Sequence, residues 1–141
     1  MRPVSHTFVD SVKAPIVQVF ALLTDPGRIA QWLPGCDGVE ASVPFRKGVR
    51  FTARFGDRTS EFEIVDFAVP ATFGWTERGQ RKGTKLFLRL DVTGTTTAVT
   101  IREVWTPRSF VGWVRGRFFE RRHVQRRLQA IVQNLRTILA S

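Results

Sequence analysis

The spacing of apolar residues changes period twice along the chain, dividing it into three stretches. In the first, "FVDSV" at 8–12 reads as a short strand, and Lys13, Ala14 and Pro15 lead into a helix. Proline suits that position because its ring is preorganised for the first helical turn and its missing N–H has no bond to lose there. Ile16, Val19, Phe20 and Leu23 then recur at the i, i+3, i+4 and i+7 positions of one helical face. A second short helix follows at once. Asp25 offers a capping oxygen, Pro26 takes the first helical position, Ile29 and Trp32 supply the apolar side, and Leu33, Pro34 and Gly35 stop it.

From Val39 to Pro107 the period becomes two, with turn residues at regular intervals, which predicts an antiparallel meander. Val49, Phe51, Ala53 and Phe55 alternate with Arg50, Thr52 and Arg54, and "GDR" at 56–58 is a hairpin turn. "EFEIVDFAV" and "TFGWTER" meet at Pro70 and Ala71. Their apolar phase slips between Ile64 and Val65, as at a β-bulge, which leaves the face of Asp66 open. Leu86, Leu88, Leu90 and Val92 oppose Lys85, Phe87, Arg89 and Asp91, and "TGTTT" returns the chain into "AVTIREVW", where Val99, Ile101 and Trp105 share a face.

After Pro107 the helical period returns. Val124, Leu128, Ile131, Leu135 and Ile138 form one stripe, predicting a long C-terminal helix near residues 110–139. Continued backward, the stripe passes through Arg121, Arg117, Val114 and Phe110, so the first half of the helix turns arginines where the second half turns leucine and isoleucine.

Composition narrows the field without overturning this picture. A chain of 141 residues, 43% hydrophobic, suits one domain spanning 1–141, enough to bury about two-thirds of its unfolded surface. Cys36 has no cysteine partner, and His6 and His123 show no metal-ligand spacing, so neither a structural metal nor a cofactor is expected. "MRPVSHTFVD" lacks the apolar core of a secretory leader, and no apolar run approaches the roughly 18 residues of a membrane span. A cytoplasmic location is expected. The net charge of +10 comes from 22 basic against 12 acidic residues, and it concentrates late in the chain. Residues 108–136 carry Arg108, Arg115, Arg117, Arg121, Arg122, Arg126, Arg127 and Arg136 against Glu120 alone.

The order of a strand, two short helices, a meander and one long C-terminal helix resembles the helix-grip fold of the START-like, polyketide cyclase/dehydrase superfamily, also called SRPBCC. The residues most similar to that family are "VKAPIVQVFALLTDPGRIAQWLPG" at 12–35 and "TTAVTIREVW" at 96–105. The resemblance implies an α+β fold in which a curved antiparallel sheet of six to seven strands wraps the long helix. It also implies a cavity between sheet and helix, roofed by the two short helices and holding an apolar ligand.

Strand phase places Glu103 with Val99, Ile101 and Trp105, and Glu77 with Phe73 and Trp75, so both carboxylates should point inward. A buried carboxylate is costly without a partner, and Arg117 or Arg121 on the inner helix face is expected within ion-pair reach of Glu103 or Glu77. Such a network would anchor a ligand carboxylate or carbonyl, or move a proton; the plainer reading is a structural ion network. Trp32, Phe51, Phe55, Trp75, Trp105 and Trp113 are expected around the cavity, the plainer reading being ordinary core packing. His6 reads as a strand residue near the surface, His123 as solvated, and Cys36 as a small hydrophobe or a neighbour of the cavity mouth.

Three classes of function compete. The first is binding of a lipid-, isoprenoid- or polyketide-like molecule, favoured because no nucleophile motif, metal cluster or phosphate loop is present. The second is a polyketide cyclase/dehydrase-like enzyme, separated from the first by turnover. The third is binding of an anionic partner through Arg115, Arg122 and Arg126 on the outer face of the last helix, but the apolar stripe is used up by the sheet and a solvated basic face is the favoured reading. No specific nucleic-acid partner is expected, and the chain is expected to be a monomer or homodimer.

Overall fold

The computed structural model describes residues 3–79, 83–106 and 121–140. Their elements are β1 (Val4–Val12), α1 (Ile16–Leu23), α2 (Ile29–Trp32) entered through a 3-10 turn at Pro26–Arg28, β2 (Gly38–Glu40), β3 (Arg50–Phe55), β4 (Arg58–Ala68), β5 (Thr72–Glu77), β6 (Lys85–Thr93), β7 (Thr96–Trp105) and α3 (Arg121–Leu139). The strands form one seven-stranded antiparallel sheet in the order β1-β7-β6-β5-β4-β3-β2. With the sheet curved around α3, this is the helix-grip fold.

Local chemistry accounts for the first elements. Pro15 sits at the cap of α1, where its carbonyl accepts from the backbone N–H of Gln18 and Val19. The helix ends at Thr24, whose backbone N–H and hydroxyl both donate to the Phe20 carbonyl. Asp25 Oδ1 accepts from Gly27 N at 3.0 Å, with Pro26 in the first position of the turn. The apolar faces of both helices are buried, Val19, Leu23, Ile29 and Trp32 completely.

Helix α3 lies against the inner face of the sheet and runs along β1. Val124, Leu128, Ile131, Val132 and Leu135 are buried in the same cluster as Leu88, Val99 and Ile101. Polar bonds fix its axis: Gln125 Nε2 donates to the Thr7 carbonyl at 3.3 Å, and Arg136 donates to the Ser11 carbonyl and pairs with Asp10. Asn134 Nδ2 donates to the Trp32 carbonyl at 3.0 Å, tying α2 to the long helix.

Three expectations are corrected. β1 spans Val4–Val12 rather than 8–12, because it pairs with β7 along its whole length, Val4 against Trp105 through Val12 against Thr97. His6 is therefore buried on the inner face, directly opposite Glu103, and not near the surface. Val92 is exposed although its parity is that of Leu90, since it stands at the β6–β7 hairpin end. The part of the long helix expected at 110–120 falls outside the described residues. The irregularity expected between Ile64 and Val65 is present, as a register shift between Ile64 and Asp66. Beyond it Asp66 lies opposite Gly74, on the outer face, and accepts from Thr72 Oγ1 at 3.0 Å.

Candidate functional site

The inward-facing residues of four consecutive strands change character from one end of the sheet to the other. On β7 they run Thr97, Val99, Ile101, Glu103; on β6 and its approach, Leu90, Leu88, Leu86, Thr84; on β5, Phe73, Trp75, Glu77; on β4, Ile64, Phe62, Ser60, Arg58. Register aligns these series, since Glu103 faces Leu86, Trp75 faces Leu86 and Glu77 faces Phe62. Apart from Thr97, whose hydroxyl donates to the Ala14 carbonyl at the other end, the polar members accordingly gather at one end of the concave surface, next to α3.

Two ion pairs occupy that end. Glu77, 5% exposed, accepts from Ser60 Oγ at 2.9 Å and from Arg58 Nη1 at 3.3 Å. The Arg58 guanidinium also lies over the Phe55 ring, 4.7 Å from its centroid, a cation–π contact that fixes the cation beside its carboxylate. Glu103, 6% exposed, pairs with Arg127 of α3. Both carboxylates are thereby compensated where a lone buried charge would be untenable. Gly79 is required beside them: a Cβ there would fall 2.1 Å from Ser60 Oγ, the hydroxyl that donates to Glu77.

Between these pairs and the helix is a cavity of about 230 Å³. Phe55, Phe62, Trp75, Leu86 and Ile131 form its apolar wall, Leu33 and Pro34 lie at its rim, and Arg58, Glu77, Thr84, Lys85, Glu103 and Arg127 supply its polar part. Thr84 is 7% exposed, and its hydroxyl has no hydrogen-bond partner among the described residues. Behind the wall the aromatic core is continuous. Trp75 lies 5.9 Å from Trp32, 5.7 Å from Phe51 and 5.9 Å from Phe62, and Phe51 stacks on Phe62 at 5.3 Å.

Of the residues singled out from the sequence, Phe55, Trp75, Glu77 and Glu103 meet at this cavity. Trp32 and Phe51 do not line it; at 0% and 4% exposure they fill the core behind it, because α2 and β3 carry both rings against Trp75. Trp105, the last residue of β7, is half-buried opposite Val4 and is not part of the cavity lining. Arg121 is exposed and lies beside Ser5, His6 and Gln125 in an outer polar groove, since at that level α3 borders the first residues of β1. Trp113 and Arg117 lie outside the described residues. The expected pairing of an α3 arginine with Glu103 therefore falls among the described residues to Arg127, not Arg121.

Arg127 and Arg58 were missed although both had a signal. Arg127 is three residues after Val124 and four before Ile131, hence on the same helical face. Arg58 and Ser60 continue the parity of Phe62 and Ile64 across the edge of the hairpin turn.

Other reactive groups are placed plainly. Cys36 is buried in the core, away from the cavity lining, its Sγ 3.6 Å from the Gly38 carbonyl; burial pushes its thiol pKa up. His123 is exposed, as are Arg122 and Arg126 on the outer side of α3. Among the described residues no three His, Cys, Asp or Glu side chains converge as a metal site, and no helix is long and apolar enough to cross a membrane.

Comparison with known proteins agrees with this architecture. The family model for polyketide cyclase / dehydrase and lipid transport matches residues 4–140. DynU16, a protein of the dynemicin biosynthetic locus, superposes with a TM-score of 0.74 at 22% identity over 97% of this chain, which spans 47% of that longer one. A protein from Bacillus halodurans gives 0.75 at 18% identity, covering 98% of this chain and 99% of its own. The Aha1 dimer from Colwellia psychrerythraea gives 0.71 at 16% identity, covering 94% and 93%. At these identities the likeness is one of fold. Comparison with curated proteins returned no significant match.

Proposed function

The chain belongs to the polyketide cyclase/dehydrase and lipid transport family, and from that premise we propose that it binds a small hydrophobic molecule in the cavity between the sheet and α3. The observation that carries this reading is the cavity itself: an aromatic and aliphatic wall of Phe55, Phe62, Trp75, Leu86 and Ile131 left open at the end where two ion pairs prevent apolar side chains from closing the core. Close-packed interiors do not keep such space without cost, because the lining atoms forgo contacts that a ligand would supply.

Native mass spectrometry of protein purified from its own cells tests this. The expected result is a bound molecule that leaves on denaturation and is absent from Leu86→Trp, in which an indole takes the cavity. Failure of that protein to carry a molecule, together with failure of the purified chain to bind any apolar probe, overturns the reading.

A second reading has its own observation. Glu77 and Glu103 both line the same cavity, so two carboxylates face one prospective ligand, the arrangement that proton transfer to and from an enolisable carbon or its carbonyl needs. In that case the bound molecule would be converted on incubation, and Glu103→Gln would retain binding while losing conversion. A ligand recovered unchanged from the wild-type chain favours carriage over catalysis.

A further inference from the structure

Resting on the ligand-binding reading above, the geometry points to a narrower class of ligand: we infer that it is uncharged and presents a neutral acceptor oxygen, a ketone, ester or phenol oxygen, to the hydroxyl of Thr84. Of the charged side chains that line the cavity Lys85 is exposed, and the two buried carboxylates are already matched. Arg58 holds Glu77 and Arg127 holds Glu103, which leaves the two buried pairs with no net charge between them. An anionic ligand would enter beside two carboxylates that are 5% and 6% exposed, and a cationic one would displace an arginine from one of them. Either exchange substitutes a new ion pair for one whose desolvation has already been met.

Thr84 is different. Its hydroxyl is buried, borders the cavity and bonds to no described residue. Buried hydroxyls are ordinarily paired, and one left single is a standing cost that a suitably placed oxygen removes. The residue is also held in place. Its carbonyl accepts from Glu77 N at 2.8 Å, at the approach to β6, and its β-branched side chain has few rotamers. A rigid neutral donor beside a flat aromatic wall selects for an oxygen on an otherwise apolar skeleton. The size of the cavity, about 230 Å³, lies below the roughly 300–1,000 Å³ of pockets for drug-sized molecules and suits a ligand of one or two rings.

Three matched probes test this by calorimetric titration of the full chain: ethylnaphthalene, methyl naphthyl ketone and naphthoate. The ketone should bind about fivefold more tightly than the hydrocarbon, the advantage of one net hydrogen bond, with naphthoate the weakest of the three. Thr84→Val should abolish the ketone's advantage over ethylnaphthalene, and Thr84→Ser should restore it. Naphthoate binding as tightly as the ketone, a wild-type chain that does not distinguish ketone from hydrocarbon, or a ketone advantage surviving in Thr84→Val each overturns the inference while leaving the ligand-binding reading intact. If ethylnaphthalene and the ketone both fail to bind, both conclusions fall.

Discussion

The two ends of the concave interior are built from the same strands on the same face, yet one is closed and the other open. At the closed end Ile64, Phe73, Leu88, Val99 and Ile101 are at most 1% exposed and meet Leu128 and Leu135 of α3, both at 0%. Two to six positions further along each strand the inward residues become Arg58, Ser60, Glu77, Thr84 and Glu103, and the packing gives way to a cavity. Strand parity decides which residues point inward, whereas cross-strand register decides which end they share. A ligand site can therefore be written into this fold by changing the terminal inward residue of each strand, leaving the rest of the core untouched.

Substitutions in the two ends should separate them. The largest loss is expected from Arg127→Ala, about 3–5 kcal/mol, because it removes the α3 partner of a carboxylate that is only 6% exposed. Glu103→Ala should cost less, since the Arg127 side chain is 27% exposed and can turn to water. Urea unfolding of both variants checks the asymmetry, and equal losses would mean that helix and sheet bury the pair evenly. Next, Leu128→Ala at the closed end should cost about 3 kcal/mol, against about 2 for Leu86→Ala, whose side chain already borders open space. The reverse order in thermal unfolding would show the closed end to be the looser one.

Gly79→Ala should cost about 1–3 kcal/mol by overpacking, and it should weaken probe binding as well, since the new methyl displaces Ser60 from Glu77. Unaltered titration of an apolar probe would detach Glu77 from the cavity. The smallest effect is expected on the outer face, where Arg78 is 42% exposed among Glu61 and Glu63; Arg78→Ala should change stability by at most about 1 kcal/mol, falling further in high salt.

Much of this contrast was legible in the chain. Period-two alternation placed Glu77 and Glu103 inward, and the broken phase after Ile64 located the bulge. The helical spacing of Val124, Leu128, Ile131 and Leu135 identified the buried stripe of α3. What stayed hidden were choices made between elements. A helical face is wide enough to hold both Leu128 and Arg127, and only the line of α3 along β1 brings Arg127 rather than Arg121 to Glu103. His6 was misread because Ser5, His6 and Thr7 carry no apolar alternation, so nothing local revealed that β1 pairs with β7 that far back. Trp32 and Phe51 were the right kind of residue for a cavity wall, but whether an aromatic ring borders space or fills it depends on the elements stacked over it.

The strand order β1-β7-β6-β5-β4-β3-β2 has a consequence for synthesis on the ribosome. β2 through β7 each hydrogen-bond to a strand next to them in the chain, so the meander can zip up as it emerges. Among the described residues β1 has no such neighbour: it pairs with β7, which follows all the other strands of the sheet in the chain, and Val4 must find Trp105. Of these seven strands β1 is thus the last to dock, at the largest loop-closure cost in the sheet. Until then Val4, His6, Phe8 and Val12 wait without a hydrogen-bonded neighbour, and a nascent chain stalled before β7 would present them to a chaperone or to another copy of itself.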